Sequence, residues 1–286
     1  MRASRAGEAR EPERGLAPPK PRFPIVSVLV GGALLGAVGG ARPARAVTFA
    51  ISNTPIYTSG KFHSDVRTGI LYDPTRIDIM SQRWGVSLTV PYLSITNLPN
   101  GANYAGGAVT AGGGTATHDA SGLGDIRLGA RVLVLRGKGR LPVVAPFVSV
   151  KFGSASSSNG LGTGLADYEL GVMVAKPLGR FVPFVRLSYT FVGSDARYPL
   201  HDIVSYAIGC SYVVRAFPDR APEDTIGLIY SGGQSELSIY PDPQTFILSW
   251  THAINPTGTG IQVFGIKGVT NSSPDLGGGI GLRFVF

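Results

Sequence analysis

Charge is scarce in this chain. Only 15% of its 286 residues are Asp, Glu, Lys or Arg, well under the roughly 25% of an ordinary soluble domain, so little material is left for a water-facing surface. Cysteine is nearly missing: Cys210 stands alone, which excludes an internal disulfide and leaves the fold to hold without covalent staples. Long apolar runs are missing too. A helical membrane span needs roughly 20 mostly apolar residues, and only 23–40 comes near that. No helical periodicity persists after that run. Intrinsic disorder is excluded by the opposite measure, because 43% of the chain is hydrophobic.

The run at 23–40 follows Arg2, Arg5, Arg10, Arg14, Lys20 and Arg22 and precedes Ala44-Arg45-Ala46, small residues at the two positions a signal peptidase reads. This is the pattern of a secretory signal peptide, with a single membrane anchor as the alternative, and it predicts cleavage after Ala46. The chain then divides into a leader, 1–46, and one unit, 47–286. Of the 26 basic and 18 acidic residues the leader holds 8 and 3, so the net charge falls from +8 to 18 − 15 = +3. No basic run remains after residue 46, which excludes nucleic acid as a partner.

What is present instead is alternation of period two. From Leu276 the even positions are Leu276, Gly278, Ile280, Leu282, Phe284 and Phe286, and the odd ones are Gly277, Gly279, Gly281, Arg283 and Val285. The same split sets Trp84, Val86, Leu88, Val90 and Tyr92 against Gly85, Ser87, Thr89 and Pro91. It recurs at 125–134, 143–152, 167–174, 181–191 and 204–214, and more weakly at about 49–60, 67–80, 224–233 and 243–254. A segment at 260–270 has no clear face. That makes twelve strands.

Their connections alternate between mostly short turns and longer, Gly/Ser-rich loops such as 97–120 and 153–164. Short turns on one rim and long loops on the other are the mark of a transmembrane antiparallel β-barrel of the outer membrane, with both termini on the short, periplasmic side. A soluble barrel would alternate as well. The export signal, the low charge and aromatics near strand ends (Trp84, Tyr92, Phe152, Tyr168, Phe181, Phe191, Tyr212, Phe286) favour the membrane. Gly281, Leu282, Phe284 and Phe286 resemble the terminal signal read by the barrel-assembly machinery. Outer-membrane lipid, that machinery and a small-molecule solute are the expected partners, in the bacterial outer membrane.

Catalysis is not expected. A hydrolase would need a His beside a Ser with an orienting carboxylate or amide, and neither His201-Asp202 nor His252 makes a specific pairing of that kind; His63 and His118 read as loop residues. No His/Cys/Asp/Glu set has metal-ligand spacing, and the Gly-rich pieces at 122–124 and 160–164 precede strands rather than helices, so no cofactor is expected. The residues that carry information are the charges on the inward parity: Arg76, Asp78, Asp125, Arg127, Arg131, Lys151, Asp167, Glu169, Arg186 and Arg283. Either they pair to close a plugged lumen or they line a pore that filters by charge and size. Twelve strands enclose more than the eight that side chains fill and less than sixteen-stranded open porins, which favours a narrow, partly occluded channel.

The ordered motifs Val90-Pro91-Tyr92-Leu93, Ser121-Gly122-Leu123-Gly124-Asp125, Lys151-Phe152-Gly153, Gly160-Leu161-Gly162-Thr163-Gly164 with Asp167-Tyr168, Tyr189-Thr190-Phe191-Val192-Gly193, Lys267-Gly268 and Ser273-Pro274-Asp275 together resemble the outer-membrane family labelled MetA-pathway of phenol degradation. The resemblance covers about residues 50–286 and departs at Gly153-Ser154-Ala155, where the family usually continues through Pro-Thr-Gly. It implies a barrel for passive passage of small molecules, aromatic or otherwise hydrophobic, and supplies no catalytic residue. A closed-lumen structural or adhesive barrel and a barrel hydrolase are the rival classes.

Overall fold

The computed structural model describes residues 47–286 apart from 63, 106–107, 110–114, 138–139, 197–199, 218–221 and 237–240; the expected leader, 1–46, and His63 lie outside the described residues. Twelve barrel strands follow one another: β1 (Thr48–Asn53, resuming as Ile56–Gly60), β2 (Thr68–Met80), β3 (Trp84–Pro99), β4 (Thr117–Leu123, resuming as Arg127–Val132), β5 (Val143–Lys151), β6 (Asp167–Ala175), β7 (Phe181–Phe191), β8 (Ile203–Ala216), β9 (Pro222–Gly233), β10 (Gln244–Ala253), β11 (Gly260–Gly268) and β12 (Leu276–Val285). Each pairs antiparallel with its neighbours in sequence, and β1 pairs with β12 through Ala50↔Val285 and Leu276↔Ser59, so the sheet closes. Closure leaves no edge within the lipid-facing belt, a requirement where no water can satisfy backbone groups.

Alternation sorts the side chains. Leu128, Leu170, Leu228, Leu248 and Ile280 stand on the outer face and are 42%, 49%, 55%, 59% and 52% exposed in the isolated chain, an apolar belt that only lipid can cover. Aromatic rings bound it on both sides. Phe49, Trp84, Phe181, Trp250 and Phe286 sit by the short-turn rim, and Tyr57, Tyr92, Tyr168, Phe191 and Phe246 by the long-loop rim. Rings on adjacent strands touch, as in Phe181–Tyr212 with centroids 4.9 Å apart and Tyr230–Phe246 at 4.9 Å. Beyond Tyr92 the outward residues of β3 become Ser94 and Thr96, where the wall rises past the belt.

Two strands are interrupted for identifiable reasons. In β1, Pro55 lacks an amide hydrogen and cannot donate to the ladder; its carbonyl still accepts from Ile280 N at 3.3 Å, while Thr54 N reaches Pro74 O. In β4, Thr117–Leu123 pairs with β3 alone, because β5 ends at Lys151. The chain after β5 folds over that edge. Ser154 Oγ donates to Gly124 O and accepts from Ile126 N, and Ala155 N donates to Asp125 Oδ1 at 3.0 Å.

The segment without a legible face is β11. Val263 and Val269 point outward, but Phe264 and Ile266 point inward and are 5% and 2% exposed, so both of its faces are apolar. They belong to an interior cluster with Val182, Phe184, Ile229 and Ile247. A second interior cluster gathers Phe62, Ala102, Ala155 and Leu161 from the long loops onto Ile70, Leu93, Ile95 and Leu98 of the wall.

Candidate functional site

The ten inward charges all come from β2, β4 to β7 and β12. The structure gathers most of them into three groups. Asp78, 4% exposed, accepts from Arg76 Nε at 2.9 Å and Arg283 Nη1 at 3.3 Å. Lys151, equally buried, lies 2.8 Å from Asp167 Oδ2 and 3.4 Å from Asp125 Oδ2. Arg186 donates to Glu169 Oε1 at 2.6 Å, and its guanidinium stacks 4.4 Å above the Phe147 ring. Such groups survive burial because each charge is met by an opposite one and by further hydrogen bonds, Asp167 also accepting from Gly193 N. Arg131 points Nη2 at Met80 Sδ, 3.4 Å away. Arg127 has neither hydrogen bond nor carboxylate within ion-pair distance among the described residues.

The opposite part of the wall is different in kind. Between the rims, the inward positions of β8 to β11 include Ile203, Ser205, Ala207, Gly209, Ser211, Thr225, Gly227, Ile229, Ser231, Thr245, Ile247, Ser249, Gln262, Phe264 and Ile266, none of them charged. Where these two arcs of the wall adjoin there is a cavity, touched by Arg127, Lys151, Asp167, Glu169 and Arg186 of β4 to β7 and by Ile203, Ser205, Ala207 and Ser231 of β8 and β9.

Three inward aromatic rings are seated on glycines. Phe147, Phe184 and Phe264 each lie directly opposite a glycine of the next strand: Gly171, Gly209 and Gly279. A Cβ on Gly209 would come within 2.6 Å of Phe184 Cζ, and one on Gly279 within 2.6 Å of Phe264 Cζ. The missing side chain is the seat of the ring, which lies along the wall.

The long-loop mouth is narrowed by the loop cluster around Leu161. Tyr104, in the loop after β3, is held there by its N–H to Gly160 O at 2.6 Å, and burial drives its phenol far above the ordinary range. Nothing in the sequence pattern announced this cap, because Phe62, Ala102 and Leu161 lie on three separate loops.

Among the described residues three histidines can be placed. His118 Nδ1 meets Asn100 Oδ1 and His201 is exposed, while its neighbour Asp202 accepts from Tyr189 Oη and Val192 N. His252 stands on the outer face at the short-turn rim, stacked on Trp250 and 3.0 Å from Asp224, which also accepts from Arg215. Glu223, Asp224 and His252 offer ligand atoms within 4.8 Å of one another, a grouping that spacing along the chain does not display because β9 and β10 supply it jointly. Arg215 already occupies the Asp224 carboxylate.

In three dimensions the chain is similar to the COG4313 outer membrane channel from Pseudomonas putida F1, with 13% identity, a TM-score of 0.65, and coverage of 87% of this chain and 98% of that one. It is also similar to the NanC porin, at 12% identity and a TM-score of 0.51 over 82% and 98% of the two chains. These likenesses establish the fold, a closed antiparallel barrel of the outer-membrane type. No protein-family model and no curated protein matches the sequence.

Proposed function

We propose that the chain is a bacterial outer-membrane channel for passive passage of small molecules. The observation that carries this reading is the cavity where a charged and a neutral arc of the inner wall adjoin, in a closed barrel whose outer face is fit for lipid. The short-turn rim, where both ends of the described chain lie, is then periplasmic, and residues 1–46 act as the export leader. The inward charges Arg76, Asp78, Asp125, Arg127, Arg131, Lys151, Asp167, Glu169, Arg186 and Arg283 line the path, and Gly281, Leu282, Phe284 and Phe286 form the signal read by the assembly machinery. Resemblance to the phenol-degradation family, together with the Ile229, Ile247 and Phe264 interior, favours aromatic or otherwise hydrophobic solutes.

A closed structural barrel is the second reading, and the packed cap around Leu161 favours it. Discrete conductance steps after reconstitution into a planar bilayer establish the channel. A folded, inserted protein that conducts no current and admits no small solute into vesicles establishes the closed barrel instead.

A further inference from the structure

Arg127 and Lys151 are directly opposite one another on β4 and β5. Two cations across a ladder repel unless each is neutralised. Asp125 and Asp167 hold Lys151, whereas Arg127 has no carboxylate of its own and faces Thr89 on its other side. A second group in the same region is also left over. Ser188, 3% exposed and inward on β7 between cavity-lining Arg186 and Thr190, has a hydroxyl without a hydrogen-bond partner. Its direct cross-strand neighbour, Ser205, lines the cavity as well. In the lining that Arg127 shares, Ile203 and Ala207 offer apolar surface.

From this juxtaposition we infer that the cavity is a binding site for an amphiphilic monoanion, its carboxylate on Arg127 and its apolar body against Ile203 and Ala207. The inference deepens the proposed channel function by naming the class of solute. A lone cation in a confined interior of low polarity is stabilised by an anion arriving from solution, and the bidentate fork of Arg suits a carboxylate. Asp167 and Glu169 on the same wall repel a second negative charge, which restricts the site to one carboxylate. The Ser205 hydroxyl of β8 completes the polar end, while the uncharged part of the lining accepts the rest of the molecule without stranding a buried charge.

The test is a ¹⁹F NMR titration of the full barrel, folded in detergent at neutral pH and low salt, with 4-fluorobenzoate and its neutral counterpart 4-fluorobenzyl alcohol. Saturable binding is expected for the anion only. Arg127→Gln should weaken it by about tenfold or more, the effect of removing a charge-assisted hydrogen bond. Arg127→Lys, which keeps the charge, should retain much of it, and Arg136→Gln, at the exposed short-turn rim, should leave it unchanged. Heat-resistant compact migration verifies that each variant is folded. No saturable anion binding, equal binding of the alcohol, or an unaltered affinity in Arg127→Gln overturns the site. Uptake of the same probes into vesicles separates the two claims: binding that follows this pattern without uptake or conductance retires the channel and leaves the binding site standing.

Discussion

Phe147 on β5 and Gly171 on β6 form one contact across the ladder, the ring occupying the space that a side chain at 171 would need. The same ring carries the Arg186 guanidinium, which in turn reaches Glu169. A vacancy on one strand therefore sets the position of a charge on the next, by way of a ring on the strand before.

Gly171→Ala should lift the Phe147 ring off the wall. Overpacking of this kind costs about 1–3 kcal/mol, and the displaced ring should narrow the lumen and lower single-channel conductance. An unchanged conductance with unchanged stability would mean that the ring is free to move elsewhere.

Neighbouring residues should respond in opposite ways. Leu128→Arg places a charge on the lipid face and should cost roughly 2–4 kcal/mol near mid-membrane, whereas Arg127→Leu alters only the inner face. Reversible folding into vesicles measures both, and equal costs would overturn the assignment of faces.

Lys151→Met should destabilise the barrel by about 3–5 kcal/mol, because Asp125 and Asp167 then remain buried without their cation. The same experiment reports whether the denaturation midpoint falls accordingly. A loss below 1 kcal/mol would show that water reaches both carboxylates.

The inward set holds six basic residues (Arg76, Arg127, Arg131, Lys151, Arg186, Arg283) against four acidic ones (Asp78, Asp125, Asp167, Glu169). Anions should permeate better than cations, most clearly at low salt. Changing Arg127 and Arg131 together to Gln makes the count even and should abolish the preference. The reversal potential across a salt gradient decides this, and a cation-selective native protein would refute it.

Export should remove the leader between Ala46 and Val47. N-terminal sequencing of protein from the outer membrane should begin at Val47; retention of residues 23–40 would show an anchor in its place.

Much of the barrel was legible because lipid enforces a strict alternation. In β3, Trp84 to Tyr92 states the outer face outright, and β12 does so through Leu276 to Phe286. Legibility failed where the interior is itself apolar. Phe264 and Ile266 fill the inner face of β11 and erase the contrast on which the reading depends. It failed again in β4, whose Thr117–Leu123 piece rises beyond the belt and is free of lipid's demand for an apolar side. The pairing of the inner charges was hidden for another reason. Arg283 meets Asp78 only because β2 and β12 flank the same first strand, so their partnership exists only once the sheet has closed.

That closing seam has a temporal meaning. Ala50 must wait for Val285, and Asn53 for Leu282, so the earliest strand to be made keeps an open edge until the very last residues arrive. A barrel of this topology cannot mature piecemeal from its N-terminus as it emerges. Until the final strand is present that edge stays open to pairing with other chains, so the hazard of misassembly lasts for nearly the whole length of the chain.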